Sequence, residues 1–283
     1  MIRRRPITFF ILFTFLISYA IGIPFNMFVS GLLNKKNEVF TILLPRVATV
    51  YGPAIAAIIV SYNIAGREGI KLVLRKLLPS GKYALYFFII PIISACITMG
   101  SYSLSGLPLN QILQFLSQAW WLLLLQWVIQ FLIVGIGEET GWRGWLFPKL
   151  LENNSFPKTV TIVSLIWCLW HLPLLFREFN VVYPWLLILF SVSIILSWLW
   201  LKVNGNLFVL ALAHASVNAP QAFIENRMIE ARVGNSYLIA GWEILGFAYL
   251  LLGIVIVIID YKYLKQNYFS PAPAKALGVK NLT

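Results

Sequence analysis

Apolar residues in this chain come in runs too continuous for the alternation of a strand and too long for most soluble core helices. Eight runs, residues 7–29, 47–65, 83–104, 119–136, 160–176, 182–201, 207–223 and 237–259, can each cross a bilayer core, which needs about 20 residues of helix. The pattern predicts an all-α, polytopic membrane protein of about eight transmembrane helices, folded as one transmembrane domain over 1–283. Connections are short except over 67–82, where Ile70, Val73, Leu74 and Leu77 recur at helical spacing among Arg67, Lys71, Arg75 and Lys76. That spacing predicts an amphipathic helix lying on the membrane surface. No repeat or low-complexity tract interrupts the chain. Residues 261–283, with Pro271 and Pro273 among small and basic residues, cannot bury a core and are expected to form a mobile cytoplasmic tail.

Composition agrees with this picture. Hydrophobic residues make up 60% of the chain and charged residues only 11%, against about 25% charged in soluble domains. Arg3, Arg4 and Arg5 precede the first run as they would in a signal peptide. The run is longer than a signal h-region and lacks a small-residue cleavage pattern, so it is expected to stay as a helix. The net charge of +12 would suit a nucleic-acid partner, but its distribution supplies another cause. With the N-terminus in the cytoplasm, 16 Lys and Arg fall on the inner side and 6 on the outer, including Lys35, Lys36, Arg46 and Arg177. The positive-inside rule then places the chain in the cell membrane with both termini cytoplasmic, and no nucleic-acid partner is needed. Cys96 and Cys168 fall within predicted spans without Cys-x-x-Cys spacing and read as packing residues.

Three polar clusters stand out against this background: Gly137-Glu138-Glu139-Thr140-Gly141-Trp142-Arg143, Trp170-His171-Leu172-Pro173 and His214-Ala215-Ser216-Val217-Asn218. They contain both histidines of the chain and its adjacent pair of carboxylates. On a helix Glu139 and Arg143 share a face and can bridge, while Glu138 points about 100° away, so one carboxylate can be anchored while the other works. His214 and Asn218, at i and i+4, project into the same space. Each cluster alone has a purely structural account: a solvated helix start complementing the dipole, an interfacial histidine in an aromatic belt, and an interhelical polar contact. Together they argue for a site, since ionisable groups are costly in lipid and mark function there.

These words resemble a known family. Glu138-Glu139-Thr140-Gly141-Trp142-Arg143 is similar to its Glu-Glu-x-x-x-Arg motif, Trp167 to His171 to its Phe-x-x-x-His motif with Trp in place of Phe, and His214 to Asn218 to its His-x-x-x-Asn motif. The family is the CAAX protease and bacteriocin-processing group of intramembrane endopeptidases, and the resemblance covers a catalytic core over 119–223. It implies eight helices enclosing a polar catalytic cavity open to the cytoplasm, and peptide-bond hydrolysis dependent on Glu138, Glu139, His171 and His214 and, less strictly, Arg143 and Asn218. Trp167 departs from the motif at an aromatic packing position, which bears on pocket shape more than on chemistry. The family's eukaryotic members trim prenylated C-terminal tripeptides. This short chain resembles the bacterial branch, where leader-peptide removal, signalling and bacteriocin self-protection occur.

Hydrolysis of a peptide bond in a membrane-anchored protein or peptide needs an activated water, charge stabilisation on the carbonyl oxygen and a proton for the leaving amine. The expected division has Glu138 and His171 activating water, Glu139 and Arg143 fixing the geometry and tuning of Glu138, and His214 and Asn218 polarising the carbonyl. A metal alternative places Zn²⁺ on His171, His214 and either Glu138 or Glu139. No His-Glu-x-x-His occurs, and the sequence leaves glutamate-type and metallo-type chemistry open. The sole aspartate, Asp260, ends the last span, and with no Gly-x-Ser-x-Gly present a serine mechanism is disfavoured. Two other classes remain: a non-catalytic bacteriocin-immunity or interaction protein on the same fold, and a proton-coupled transporter, for which no internal symmetry is visible. The sequence does not fix the oligomeric state.

Overall fold

The computed structural model describes residues 1–32, 46–175, 182–234 and 236–269. Among them the chain is helical throughout, with no strand. The N-terminal path runs from α1 (Pro6–Phe15) through a π-helical turn (Leu16–Ile21) into α2 (Gly22–Leu32). A short α3 (Val47–Val50) leads to α4 (Gly52–Arg75), followed by α5 (Tyr86–Leu104) and α6 (Leu109–Ile129). A π turn (Gln130–Gly135), α7 (Ile136–Gly141), a second π turn (Trp142–Leu146) and α8 (Phe147–Leu151) extend α6. Then come α9 (Phe156–Leu175), α10 (Val182–Lys202), α11 (Leu207–Glu230), α12 (Ser236–Ile259) and a short α13 (Tyr261–Tyr268).

By length and composition, six helices among the described residues can cross a membrane. The expected span 47–65 is assembled from α3 and the first limb of α4, which bends at Ala65 and at Gly66, where φ is +60°. Much of the surface of that limb is small residues pressed inward, among them Ala54, Ala56 and Ala57. The expected span 160–176 falls on α9, a helix of 20 residues whose described part, Phe156–Leu172, is apolar. Beyond Gly66 the second limb of α4 buries Gly69 and Val73 and exposes Arg67, Lys71 and Arg75, the amphipathic arrangement that the spacing predicts. The expected span beginning at Ala119 starts where the backbone breaks, since Ala119 has φ −145° and ψ 30°.

The fold is built around α11, the most buried of the six spans. Outward faces carry lipid-suited side chains such as Phe88, Ile92, Trp120, Trp121, Leu251 and Ile258. Between α4 and α11 lies α7, and glycine makes the approach close enough. A Cβ on Gly141 would lie 2.4–2.6 Å from atoms of Pro53, and one on Gly135 would lie 2.4 Å from the Ala211 carbonyl oxygen. Small residues are what allow membrane helices to pack backbone to backbone. Lys76 joins the same three elements: its carbonyl accepts from the Leu207 N–H at 2.8 Å, and its ammonium donates to the Gly144 carbonyl at 3.4 Å.

At the other end of the chain Asp260 accepts from Trp198 Nε1 and pairs with Lys202, both at 2.5 Å, holding the start of α13 on α10. The first eight residues of the expected mobile tail are thus helical, because Tyr261–Tyr268 is tied down by this contact and buries Leu264. Residues 270–283 lie outside the described residues, as do Lys35, Lys36, Phe176 and Arg177. Cys96 and Cys168 are free thiols, Cys96 facing outward rather than packed.

Candidate active site

Glu138 and Glu139 lie deep in the protein, 2% and 0% exposed, with Arg143 at 0%. A solvated helix start is therefore not what these residues form. They sit on α7 and the π turn after it, and a second π turn precedes α7. Such turns shift side-chain register within a helix and occur often at functional sites.

The two carboxylates part company as the spacing requires. Arg143 Nη1 donates to Glu139 Oε1 at 3.1 Å, the expected i,i+4 bridge, and Arg143 Nη2 donates to Ser193 Oγ of α10 at 2.9 Å. Trp167 lies under the guanidinium, its ring 4.6 Å from Cζ. Glu138 instead accepts the indole N–H of Trp167 at 2.7 Å. This corrects two expectations. The departure at Trp167 is not a matter of pocket shape alone, because phenylalanine in that place has no donor for Glu138. Glu139 and Arg143 also hold a partner other than Glu138: Glu139 Oε1 lies 2.8 Å from His214 Nδ1.

Both histidines are oriented through Nδ1. His171 Nδ1 lies 2.9 Å from the Trp167 carbonyl oxygen, which can only accept, so the proton sits on Nδ1 and Nε2 keeps its lone pair. His214 Nδ1 faces the Glu139 carboxylate in the same way. Trp167 and Trp170 pack edge-on against His171 at 5.5 and 4.7 Å, and Trp167 packs edge-on against His214 at 5.4 Å. The Trp170 indole in turn donates to Ser18 Oγ at 3.0 Å, tying this group to the π turn of the N-terminal helix.

Glu138, His171, His214 and Asn218 line one cavity of about 40 Å³, together with Gln221, Trp167 and an apolar wall from α10. Since about 10–15 Å³ accommodates one water, that volume holds a few. Asn218 is nearly uncommitted, its amide nitrogen 3.5 Å from Gln130 Oε1, at the far limit of a hydrogen bond. Glu139 and Arg143 stand behind the lining rather than in it. The structure thus brings together all six predicted residues, four facing the cavity and two supporting. Sequence reading missed Ser193, one of several serines in an apolar helix, and Gln221, which lies a further turn along the face of His214 and Asn218 and was visible by that periodicity.

Among the described residues no group of three or more His, Cys, Asp or Glu side chains converges to hold a metal ion. Glu139 Oε1 is taken by Arg143 and His214, and Glu138 Oε2 by Trp167. Asp260 is held by Lys202 and Trp198 in its own cluster.

Comparison with known proteins points the same way as the motifs. The sequence model of the family described as Rce1-like, type II CAAX prenyl endopeptidase, matches residues 119–220, a segment that contains all six predicted site residues. CAAX prenyl protease 2 of Methanococcus maripaludis is 26% identical over 117 residues, covering 36% of this chain and 43% of that protein. The chain therefore aligns with less than half the length of that relative.

Proposed function

Because the segment that carries the whole constellation is that of the Rce1-like CAAX prenyl endopeptidases, we propose that this chain is an intramembrane endopeptidase of the glutamate type. It would hydrolyse a peptide bond in a membrane-associated protein or peptide. One observation carries the reading: a buried carboxylate and two imidazoles, each pinned through Nδ1, face one water-sized cavity. Its expected placement is a multi-pass cell-membrane protein with both termini cytoplasmic, supported by the distribution of Lys and Arg.

Glu138 takes a proton from a water in the cavity while the Nε2 lone pair of His171 accepts that water's other hydrogen and aims its oxygen. The resulting hydroxide attacks the scissile carbonyl carbon. In its protonated form His214 donates from Nδ1 to Glu139 and from Nε2 to the developing oxyanion, and the Asn218 amide donates a second hydrogen bond. Such donors are worth about 10²–10³ in rate when already aimed. Collapse of the tetrahedral intermediate breaks the C–N bond, and the proton on Glu138 passes to the leaving amine. Arg143 compensates the single charge of the buried Glu139 carboxylate, and breaking that pair costs about 3–5 kcal/mol.

The test is cleavage of a mixed peptide library by the purified chain. Glu138→Gln is expected to lower turnover by roughly 10³-fold, within the 10²–10⁴ range of acid–base catalysis, with folding retained. Activity is expected to survive chelation. Loss on chelation with recovery on zinc addition would overturn the glutamate mechanism, and a cellular phenotype that persists in Glu138→Gln while cleavage is lost would favour the immunity or binding role.

A further inference from the structure

The cavity has two chemically different walls. On α10, Trp185, Ile188, Leu189 and Val192 recur at helical spacing and present a largely apolar surface. On α11, His214, Asn218 and Gln221 present one polar stripe. The mechanism uses the first two of these groups and leaves the third without a role. Gln221 is 4% exposed, lines the cavity, and makes no hydrogen bond to any described residue. Its amide opens on the cavity, where it presents a donor and an acceptor that a ligand can complete.

The position on the helix says what kind of ligand. Gln221 is seven residues from His214, about 10 Å along the axis at 1.5 Å per residue. An extended peptide covers that length in about three residues. A strand inside a membrane protein has backbone N–H and C=O groups that lipid cannot satisfy. A primary amide offers both a donor and an acceptor, which suits a peptide backbone group better than a charged headgroup. Along this line α10 packs chiefly on α12 and only lightly on α11.

Building on the endopeptidase reading, we infer that Gln221 binds the backbone of the substrate strand about three residues from the scissile bond, with the α10 wall covering the strand's side chains. Gln221 lies one residue beyond the segment matched by the family model. Its role is substrate binding and registration, so it acts on KM more than on kcat.

The experiment uses the full chain with internally quenched peptides selected from a mixed apolar library, each backbone N–H near the scissile bond being replaced in turn by an ester oxygen. In the wild type, one ester about three residues from the cleaved bond is expected to raise KM roughly tenfold with kcat kept, the scale of one neutral hydrogen bond. Gln221→Leu is expected to raise KM of the all-amide peptide by a similar factor and to become indifferent to that ester, with Gln221→Met as a second variant of like volume. A wild-type profile flat over positions two to four, or identical ester penalties in wild type and variants, overturns the inference. Binding of the same peptides to Glu138→Ala separates the two readings. Binding with the same ester and Gln221 dependence, but no cleavage by the wild type, sinks the endopeptidase and leaves the subsite standing. Neither cleavage nor binding overturns both.

Discussion

Trp167 shows how much one side chain can change at this site. Its indole donates to Glu138 while its ring underlies Arg143 and touches both histidines, so it contacts every ionisable group of the site except Glu139. Trp167→Phe, the residue found in the motif that this chain resembles, removes the donor and also shortens a buried ring. A hydrogen bond to a charged group is worth about 1.5–3 kcal/mol. Turnover is therefore expected to fall by roughly tenfold or more, with some loss of melting temperature from the shortened ring. Unchanged turnover in steady-state kinetics would show that Glu138 does not depend on the indole. The i,i+4 bridge between Glu139 and Arg143 was legible in the sequence because it is local, four positions on one helix. Its continuation to Ser193 and His214 was not, since 50 and 75 residues separate those partners in the chain.

At the scale of elements, α7 is the part whose placement decides whether the residues meet. It reaches Pro53 on one side and Ala211 on the other through glycine, and the site's carboxylates ride on it. Gly141→Ala would put a Cβ within 2.6 Å of Pro53 backbone, so α7 must shift. Overpacking of this kind costs about 1–3 kcal/mol. A sub-ångström displacement of Glu138 also reduces turnover, so the expected result is a loss of both stability and activity. A variant that melts like the wild type and cleaves normally would contradict this packing. The apolar runs predicted helices well, because a bilayer demands long hydrogen-bonded segments whatever their neighbours. They predicted continuity poorly: bends at Gly66 and Ala119 and the π turns around α7 arise from packing and leave hydropathy unchanged.

For the whole molecule, two measurements bear on how the bundle is closed and how it lies in the membrane. Lys76 joins α4 to the start of α11 and to the segment after Arg143, and burial pushes its ammonium from the usual lysine value down to about 8. Between about pH 8 and pH 10.4 the unfolded chain carries this proton and the folded chain does not, so stability rises with pH across that window. Thermal melting of wild type against Lys76→Met should show the wild type gaining on the variant from about pH 8 upward, and parallel curves would exclude the effect. For orientation, single cysteines placed at Arg67 and Tyr268 in a chain lacking Cys96 and Cys168 should be shielded from an impermeant thiol reagent in intact cells. Labelling at either would reverse the orientation.

Hydropathy and charge by themselves determined that this protein is a helical bundle in a membrane. The three motifs, by residue type and spacing, singled out six groups that the fold brings together. Both kinds of information are local, set by the solvent around each segment and by the turn of a helix. Only the tertiary structure decided that Glu139 contacts His214, that Trp167 donates to Glu138, and that Gln221 stands unpaired in the same cavity. Those outcomes depend on which helices approach one another and how closely, and that is settled by packing between residues far apart in the chain.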